Sequence, residues 1–517
     1  MNARTIRRRH VLAAIALAGA TVLLLLGAPD HNSVPKARAR GQSVTPQVVA
    51  ITLATRTPAR AVPGAFLGLS TEYWAAPTFE RRPALFARVL ALLHVPGDDR
   101  EVLRVGGDSA DHSFFEPDVR TRPRWMFALT PRWLRDTGYL LRRANARVML
   151  DLNLITGSSA LAARWASAAY RELPRGSLAG FEIGNEPDIY SHSYWRAIVG
   201  RGSPWARALP IRLSAAAYDL EYQSYARAVG SVAPGVPLSG PVLANPGAHV
   251  DWIPSLLAAD RGAVATVTGH RYPLSACVKP RSPIFPTVAR VLSERASAEN
   301  ARLTARAVEM AHLAGLRFRL SELNSVTCGG RPGVSDTFAT ALWAPDALFE
   351  LMRVGADAVD VHVRDDAINA AFTLGRSGLG ARPLLYGLIL FTRTLGAHAR
   401  LIPLRLHAGR ASHLKAWAVL ASNHRLSVLL INKGDRPVLA QLRLPAAGLA
   451  SVQRLTAPSA DSRTGELLAG QRLGAGGEWV GRRIVQPIAG RSGRYSVSVP
   501  RWSAALVSLQ ARGASLG

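Results

Sequence analysis

Eight short apolar runs of β-type composition, at 65–72, 102–108, 147–154, 180–186, 236–243, 264–272, 317–324 and 358–363, alternate with longer stretches of helical periodicity. The helical patterns fall at 83–94, 131–145, 158–173, 214–232, 251–260, 285–314 and 335–354, and 383–395 closes the series. Strand–helix alternation repeated eight times leaves few folds open, and a (β/α)8 TIM barrel of α/β class is the simplest. Each run is too apolar to have one wet face, as expected of a parallel sheet covered by helices. After Gly396 the rhythm changes. Runs at 414–420, 426–432, 438–444, 451–455, 495–499 and 504–509 are short and alternating, with turns such as Lys433-Gly434-Asp435 between them. That pattern predicts an all-β antiparallel sandwich. A strand-like run at 48–53 precedes the barrel. The expected division is residues 47–64 as an N-terminal strand joining the sandwich, 65–396 as the catalytic barrel, and 397–517 as the C-terminal sandwich.

The first 46 residues read differently. Arg4, Arg7, Arg8 and Arg9 precede an apolar run over 11–28, the composition of an export signal or an N-terminal anchor. Arg8-Arg9-His10-Val11-Leu12 also resembles a twin-arginine signal. The run is near the lower length limit for spanning a bilayer, so membrane anchoring through 11–28 stays open beside cleavage and release. Residues 29–46 have the polar, Pro- and Ser-containing composition of a flexible tether. The expected location is outside the cytoplasm, secreted or anchored to the outer face of the cytoplasmic membrane.

A formal charge of +28 invites a nucleic-acid reading. Only Lys36, Lys279, Lys415 and Lys433 are lysines among the 63 basic residues, and the arginines are scattered singly. A nucleic-acid footprint would be clustered, so coding bias toward arginine is the better account and no nucleic-acid partner is expected. The field would still steer an anionic sugar. The two cysteines, Cys277 and Cys328, form no Cys-x-x-Cys, and no His-Glu-x-x-His occurs. Neither a metal nor a cofactor is expected.

A barrel of this kind carries its functional groups at the carboxyl ends of the strands. Glu186 closes the fourth run in Gly184-Asn185-Glu186-Pro187, and Glu322 closes the seventh in Ser321-Glu322-Leu323-Asn324. Carboxylates are rarely buried without a partner. One alone reads as an ion pair or a helix cap. Two at one depth are the arrangement that glycoside hydrolysis needs, one protonated to release the leaving oxygen and one ionised to attack. Glu72, Arg104, Asp108, Asn153, Asn185, Tyr272, His362 and Arg364 fall at the same level. Arg104, a permanent cation near the barrel floor, is suited to keeping one carboxylate ionised, and Tyr272 to donating to the same group. Asn185, beside the acid, is placed for the hydroxyl next to the reacting carbon. Cys277 and Cys328 follow the sixth and seventh strands, so a disulfide between neighbouring loops is expected in an exported protein.

The flanking segments carry a family resemblance. They are Leu67-Gly68-Leu69-Ser70-Thr71-Glu72, Arg104-Val105-Gly106-Gly107, His270-Arg271-Tyr272-Pro273, and Ser321-Glu322-Leu323-Asn324-Ser325 with Gly329-Gly330 after it. Val334-Ser335-Asp336-Thr337-Phe338-Ala339 and Arg382-Pro383-Leu384-Leu385-Tyr386-Gly387 complete the set. Together with Gly184-Asn185-Glu186-Pro187 they resemble the heparanase-like family of retaining β-glucuronidases (glycoside hydrolase family 79 type) over residues 48–510. The resemblance implies Glu186 as acid/base, Glu322 as nucleophile, and Asn185, Tyr272 and Glu72 as sugar contacts. In such relatives the uronate carboxylate is met just after the nucleophile and in the loop after the eighth strand. Those stretches here hold Thr327, Cys328 and Arg364, with Arg271 as the other available cation. The implied partner is a glucuronide or a glucuronate-containing oligosaccharide. The same mechanism on a neutral β-glycoside, and a carbohydrate-binding surface protein without catalysis, are the alternatives.

Overall fold

The computed structural model describes residues 45–54, 57–115, 123–190, 197–200, 213–407, 413–445 and 448–511. The segment read as signal or anchor, residues 1–28, lies outside them. No helix among the described residues is long and apolar enough to cross a membrane.

Eight parallel strands close into a barrel: β1 (Leu67–Glu72), β2 (Val102–Gly106), β3 (Arg147–Leu152), β4 (Leu178–Ile183), β5 (Leu238–Leu243), β6 (Val264–Arg271), β7 (Arg317–Leu323) and β8 (Ala358–His362). They neighbour one another in chain order, and β8 pairs with β1 to close the ring. The barrel and sandwich read from the sequence are the fold observed. Every residue of β1, β2, β5 and β8 is buried, as expected for strands with side chains packed on both faces.

The sandwich has two sheets. One runs Leu404–His407, Gln47–Leu53, Val438–Arg443, Arg494–Val499, so the N-terminal strand lies between two C-terminal ones, parallel to Val438–Arg443. The other is built on Leu414–Leu420, Arg425–Asn432, Ser503–Gln510 and Gly448–Thr456, with short strands at both margins. Val49, Ile51, Val428, Leu442, Val497 and Val507 fill the space between the sheets. Trp417, Leu429, Ile431 and Leu506 belong instead to the barrel's own cluster. One face of the second sheet therefore packs into the barrel's core, and Thr45–Gly517 forms one compact unit.

Two helices explain how. The helix after β7, α1 (Phe338–Val354), is buried over nearly its whole length, and so is the helix after β8, α2 (Pro383–Thr394). A helix apolar all round needs cover on every side. Phe349 of α1 packs against Phe391 of α2 at 4.8 Å and stacks on Trp417 of the sandwich at 5.3 Å between ring centroids.

Three expectations need correction. The continuous helical pattern at 285–314 is interrupted, giving Val288–Val291, a 3-10 turn Glu294–Ala296, and Ala298–Leu313. Serines and threonines favour helix ends over interiors: Thr287 caps the first piece by accepting from the Arg290 amide, and the Ser297 hydroxyl accepts from Lys433. The run at 102–108 leaves the strand at Gly106, and Asp108 rides on a 3-10 turn, Gly107–His112. The run at 180–186 ends at Ile183, three residues short of Glu186.

Candidate active site

Buried charges decide the architecture of the barrel mouth. Arg104, on β2, is fully buried. Its guanidinium donates to Glu182 Oε2 at 2.7 Å, Asp151 Oδ2 at 2.9 Å, Glu322 Oε2 at 2.9 Å and Asn185 Oδ1 at 3.0 Å. The planar fork of arginine suits several acceptors at fixed angles, which a lysine could not meet. Tyr272, just past β6, donates its hydroxyl to the other oxygen of Glu322 at 2.7 Å. Both oxygens of Glu322 are thus held. Burial alone would push its carboxyl up, but the charges of His362, His270 and Arg104 and the Tyr272 hydrogen bond outweigh it and bring it down to about 2.

Glu186 has the opposite setting. It sits beyond β4 with φ 53° and ψ 49°, a left-handed conformation that a glutamate seldom adopts, and Pro187 follows at once. Its amide donates to the Val242 carbonyl at 3.0 Å, which keeps the turn in place. Burial pushes its carboxyl up, with Glu322 and Asp108 adding to the push and His270 opposing it. The His270 Nδ1 lies 3.0 Å from Glu186 Oε1, while its Nε2 is buried without a partner among the described residues. Single ligand atoms of Glu186, His270 and Glu322 all lie within 4.8 Å of one another. One carboxyl oxygen of Glu186 and one of Glu322 therefore approach within 4.8 Å, closer than the about 6.5–9.5 Å between carboxyl groups that inversion needs.

The two glutamates line a cavity of about 480 Å3 together with Glu72, Asp108, Asp111, Asn185, Ile189, Tyr190, Tyr272, Thr327 and Cys328. Glu72 ends β1, and its Oε2 accepts from the Ser109 amide at 2.9 Å. Gly107, at φ +67°, lets that turn approach, since a Cβ there would stand 2.7 Å from both Glu72 oxygens. Burial, then Asp108 and Glu322, push Glu72 up to about 8. Its carboxyl therefore holds a proton far more readily than a free glutamate. Cys277 and Cys328 are joined by a disulfide that ties the loop after β7 to the loop after β6.

Other residues singled out from the sequence sit differently. Asn153 does not line the cavity; its amide donates to the Ser113 carbonyl and the Thr156 hydroxyl, so it shapes a loop instead of meeting substrate. His362 is buried behind the cavity, with Nδ1 3.4 Å from Glu322 and Nε2 3.7 Å from Glu72. Arg364 stands at the rim: Nε is 2.8 Å from Asp366, Nη1 is 4.0 Å from Glu72, and Nη2 faces the Gly329 backbone. Arg271 points away, bound to Asn300 and Asn245.

Sequence reasoning missed Glu182, Asp151, Asp111, Tyr190 and His270. Glu182 and Asp151 had a signal, since each is a charge inside an otherwise apolar strand, Phe181-Glu182-Ile183 and Leu150-Asp151-Leu152. His270 shares strand parity with Tyr272 and so points to the same side. Tyr190 and Asp111 had none: they meet only because the Tyr190 hydroxyl bridges Asp111 and the Asn185 amide.

No family model and no curated protein sequence matches the chain. Solved structures do. A 4-O-α-L-rhamnosyl-β-D-glucuronidase from Fusarium oxysporum 12S superposes with a TM-score of 0.71 at 19% identity, covering 89% of this chain and 100% of that one. A GH51 arabinofuranosidase from Xanthomonas axonopodis pv. citri gives 0.65 at 14%, covering 90% and 100%. A Paenibacillus polymyxa xyloglucanase of family 44 gives 0.60 at 11%, also covering 90% and 100%. The chain shares the barrel-plus-sandwich fold of these glycoside hydrolases.

Proposed function

We propose that this protein is an exported retaining glycosidase that cleaves β-linked glucuronides by double displacement. The observation that carries the reading is the opposed state of two carboxyl groups whose nearest oxygens approach within 4.8 Å: Glu322 held down to about 2, Glu186 pushed up. Divergent environments for paired carboxyls are how an acid and a nucleophile are told apart. In this mechanism Glu186 protonates the glycosidic oxygen while Glu322 attacks the anomeric carbon. Glu186 then takes a proton from the water that releases the glycosyl-enzyme ester. Arg104 and Tyr272 hold Glu322 flat, and the surplus of carboxylates around the cavity favours the positive charge that develops on the sugar ring.

Three features support the finer reading. The rhamnosyl-glucuronidase shares the fold along almost the whole chain. Arg364 lies beside both Glu72 and the loop after Glu322, and Glu72, when protonated, can donate a hydrogen bond to an anion. The disulfide favours an oxidising compartment, in keeping with the expected export. One observation favours a neutral sugar instead: five carboxyl groups, Glu72, Asp108, Asp111, Glu186 and Glu322, line the cavity.

Purified protein should be screened on nitrophenyl β-glucuronide, β-glucoside, β-xyloside and α-L-arabinofuranoside. The glucuronide is expected to be turned over at least about 10-fold faster than the rest, the contribution of one charge-assisted contact. Turnover of neutral sugars alone would overturn the uronate assignment, and turnover of none would overturn the catalytic one. Fractionation of the producing cells should find the chain outside the cytoplasm; recovery from the cytosol alone would overturn export.

A further inference from the structure

The arginines of this protein fall into two groups. Buried or half-buried ones such as Arg104 and Arg319 are ion-paired. Arg393, Arg425 and Arg483 are not paired with any carboxylate among the described residues, although they stand together. Arg393 and Arg425 line two adjoining cavities, of about 570 Å3 and about 370 Å3, and Arg483 lines the smaller one with Gln453, Gln471 and Trp479. Two half-buried cations with a third beside them and no counter-charge are costly to hold.

Their local bonds leave charge to spare. Arg425 donates to the carbonyls of Arg393 and Leu395, which orients it but neutralises nothing. The Arg393 guanidinium stacks 4.5 Å over the Trp479 ring and reaches the Gln453 side chain at 3.3 Å. Burial, with the nearby charge of Arg483, pushes Arg393 down to about 10, a sign that the positive charge is crowded there. The site is also remote from the mouth. Arg393 lies in the last turn of α2, and a barrel helix runs opposite to the strand before it, so that turn sits at the amino ends of the strands.

We infer that this pocket is a second, non-catalytic binding site for an acidic saccharide unit, on the barrel face opposite the cleft. Guanidinium groups match carboxylate or sulfate in a bidentate way, glutamine amides serve hydroxyls, and an indole edge offers apolar cover for a sugar ring. The pocket would hold the protein on an anionic glycan without taking part in bond cleavage. This inference does not depend on the catalytic reading.

Direct binding tests it. The full chain carrying Glu322→Gln, which blocks turnover, is titrated calorimetrically with a glucuronate-containing decasaccharide of hyaluronan type, a sulfated decasaccharide of heparin type, and a neutral cello-oligosaccharide. Binding of one or both acidic probes, but not the neutral one, is expected, and the stronger probe identifies carboxylate or sulfate as the preferred anion. Adding Arg483→Ala, an exposed change that leaves the fold alone, should weaken that binding about 10-fold and Arg483→Glu more. In the otherwise native protein, Arg483→Ala should leave turnover of a small chromogenic glycoside unchanged. Equal affinity with and without the Arg483 changes would place the glycan in the cleft only and overturn the inference. So would equal binding of the neutral probe.

Discussion

Two buried ionic networks in this molecule are built to different ends. At the junction of barrel and sandwich, Asp346 of α1 accepts from Lys433 at 2.5 Å and from the Trp417 indole at 3.0 Å. Lys415 bridges Glu350 and Glu294, both at 2.8 Å, and Glu350 in turn holds Arg353. Three carboxylates face three cations there, and none of their buried side-chain atoms lacks a partner among the described residues. Although burial would raise it, Lys433 and Lys415 hold Asp346 below the usual range. At the mouth, Asp151, Glu182 and Glu322 all bond to Arg104, Glu72 and Glu186 line the same cavity as Glu322, and His270 Nε2 and Asp151 Oδ1 lack a partner among the described residues. A balanced network joins two lobes. An unbalanced one stores negative charge that protons, or a cationic transition state, must relieve.

The contrast is sharpest if each network is cut once. Glu322→Gln should lower turnover by about 10⁴-fold or more, as loss of a nucleophile does, with little change in melting temperature. Asp346→Ala should do the reverse. Stranding Lys433 in a buried site costs about 3–5 kcal/mol, read by chemical denaturation, while kcat of the folded fraction stays within about 3-fold of the parent. A large loss of activity in the second variant would mean the junction also shapes the cleft.

Next in size is Glu186→Gln. Turnover of substrates with poor leaving groups should fall about 10²–10⁴-fold, and activated aryl glycosides should be largely spared. Because Glu322 stays ionised from about 2 upward, the alkaline limb of the pH profile belongs to Glu186, and the variant should lose that limb. Equal loss on all substrates would remove the acid role. Arg364→Ala should cut turnover of a β-glucuronide about 10–100-fold and barely touch a β-glucoside; equal loss would make Arg364 a support for Asp366.

The smallest effect is on stability against pH. Glu72 titrates at about 8 when folded against 4.5 as a free side chain, so the folded protein holds this proton more tightly. Stability is therefore lost as pH rises from 4.5 through 8. Glu72→Gln should gain a few degrees in melting temperature over the parent at the alkaline end and nothing at the acid end. A gain that does not vary with pH would contradict the assignment.

What the sequence made legible follows the same division. The barrel was readable because burial on both faces leaves long apolar runs, and Glu322 stood out as a charge at the end of one. Glu182 stood out as a charge inside such a run, but nothing local said what it meets. Its partner, Arg104, comes from a strand 78 residues away, and only closure of the ring brings them together. Asn153 turns into a loop, and Asp108 reaches the cavity from a turn, for the same local reason. Each lies just past its strand, where a turn and not strand parity sets the direction of the side chain. The junction network was invisible, since Asp346 and Lys433 meet only when the two lobes dock.

The claim that Glu322 attacks and Glu186 protonates has one stereochemical consequence. Proton NMR of the first sugar released from an aryl β-glycoside that the protein hydrolyses reads it directly. Two displacements at the anomeric carbon predict the β-anomer first, with the α-anomer appearing only by later mutarotation. An α-anomer as the first product would mean a single displacement by water and would contradict the account.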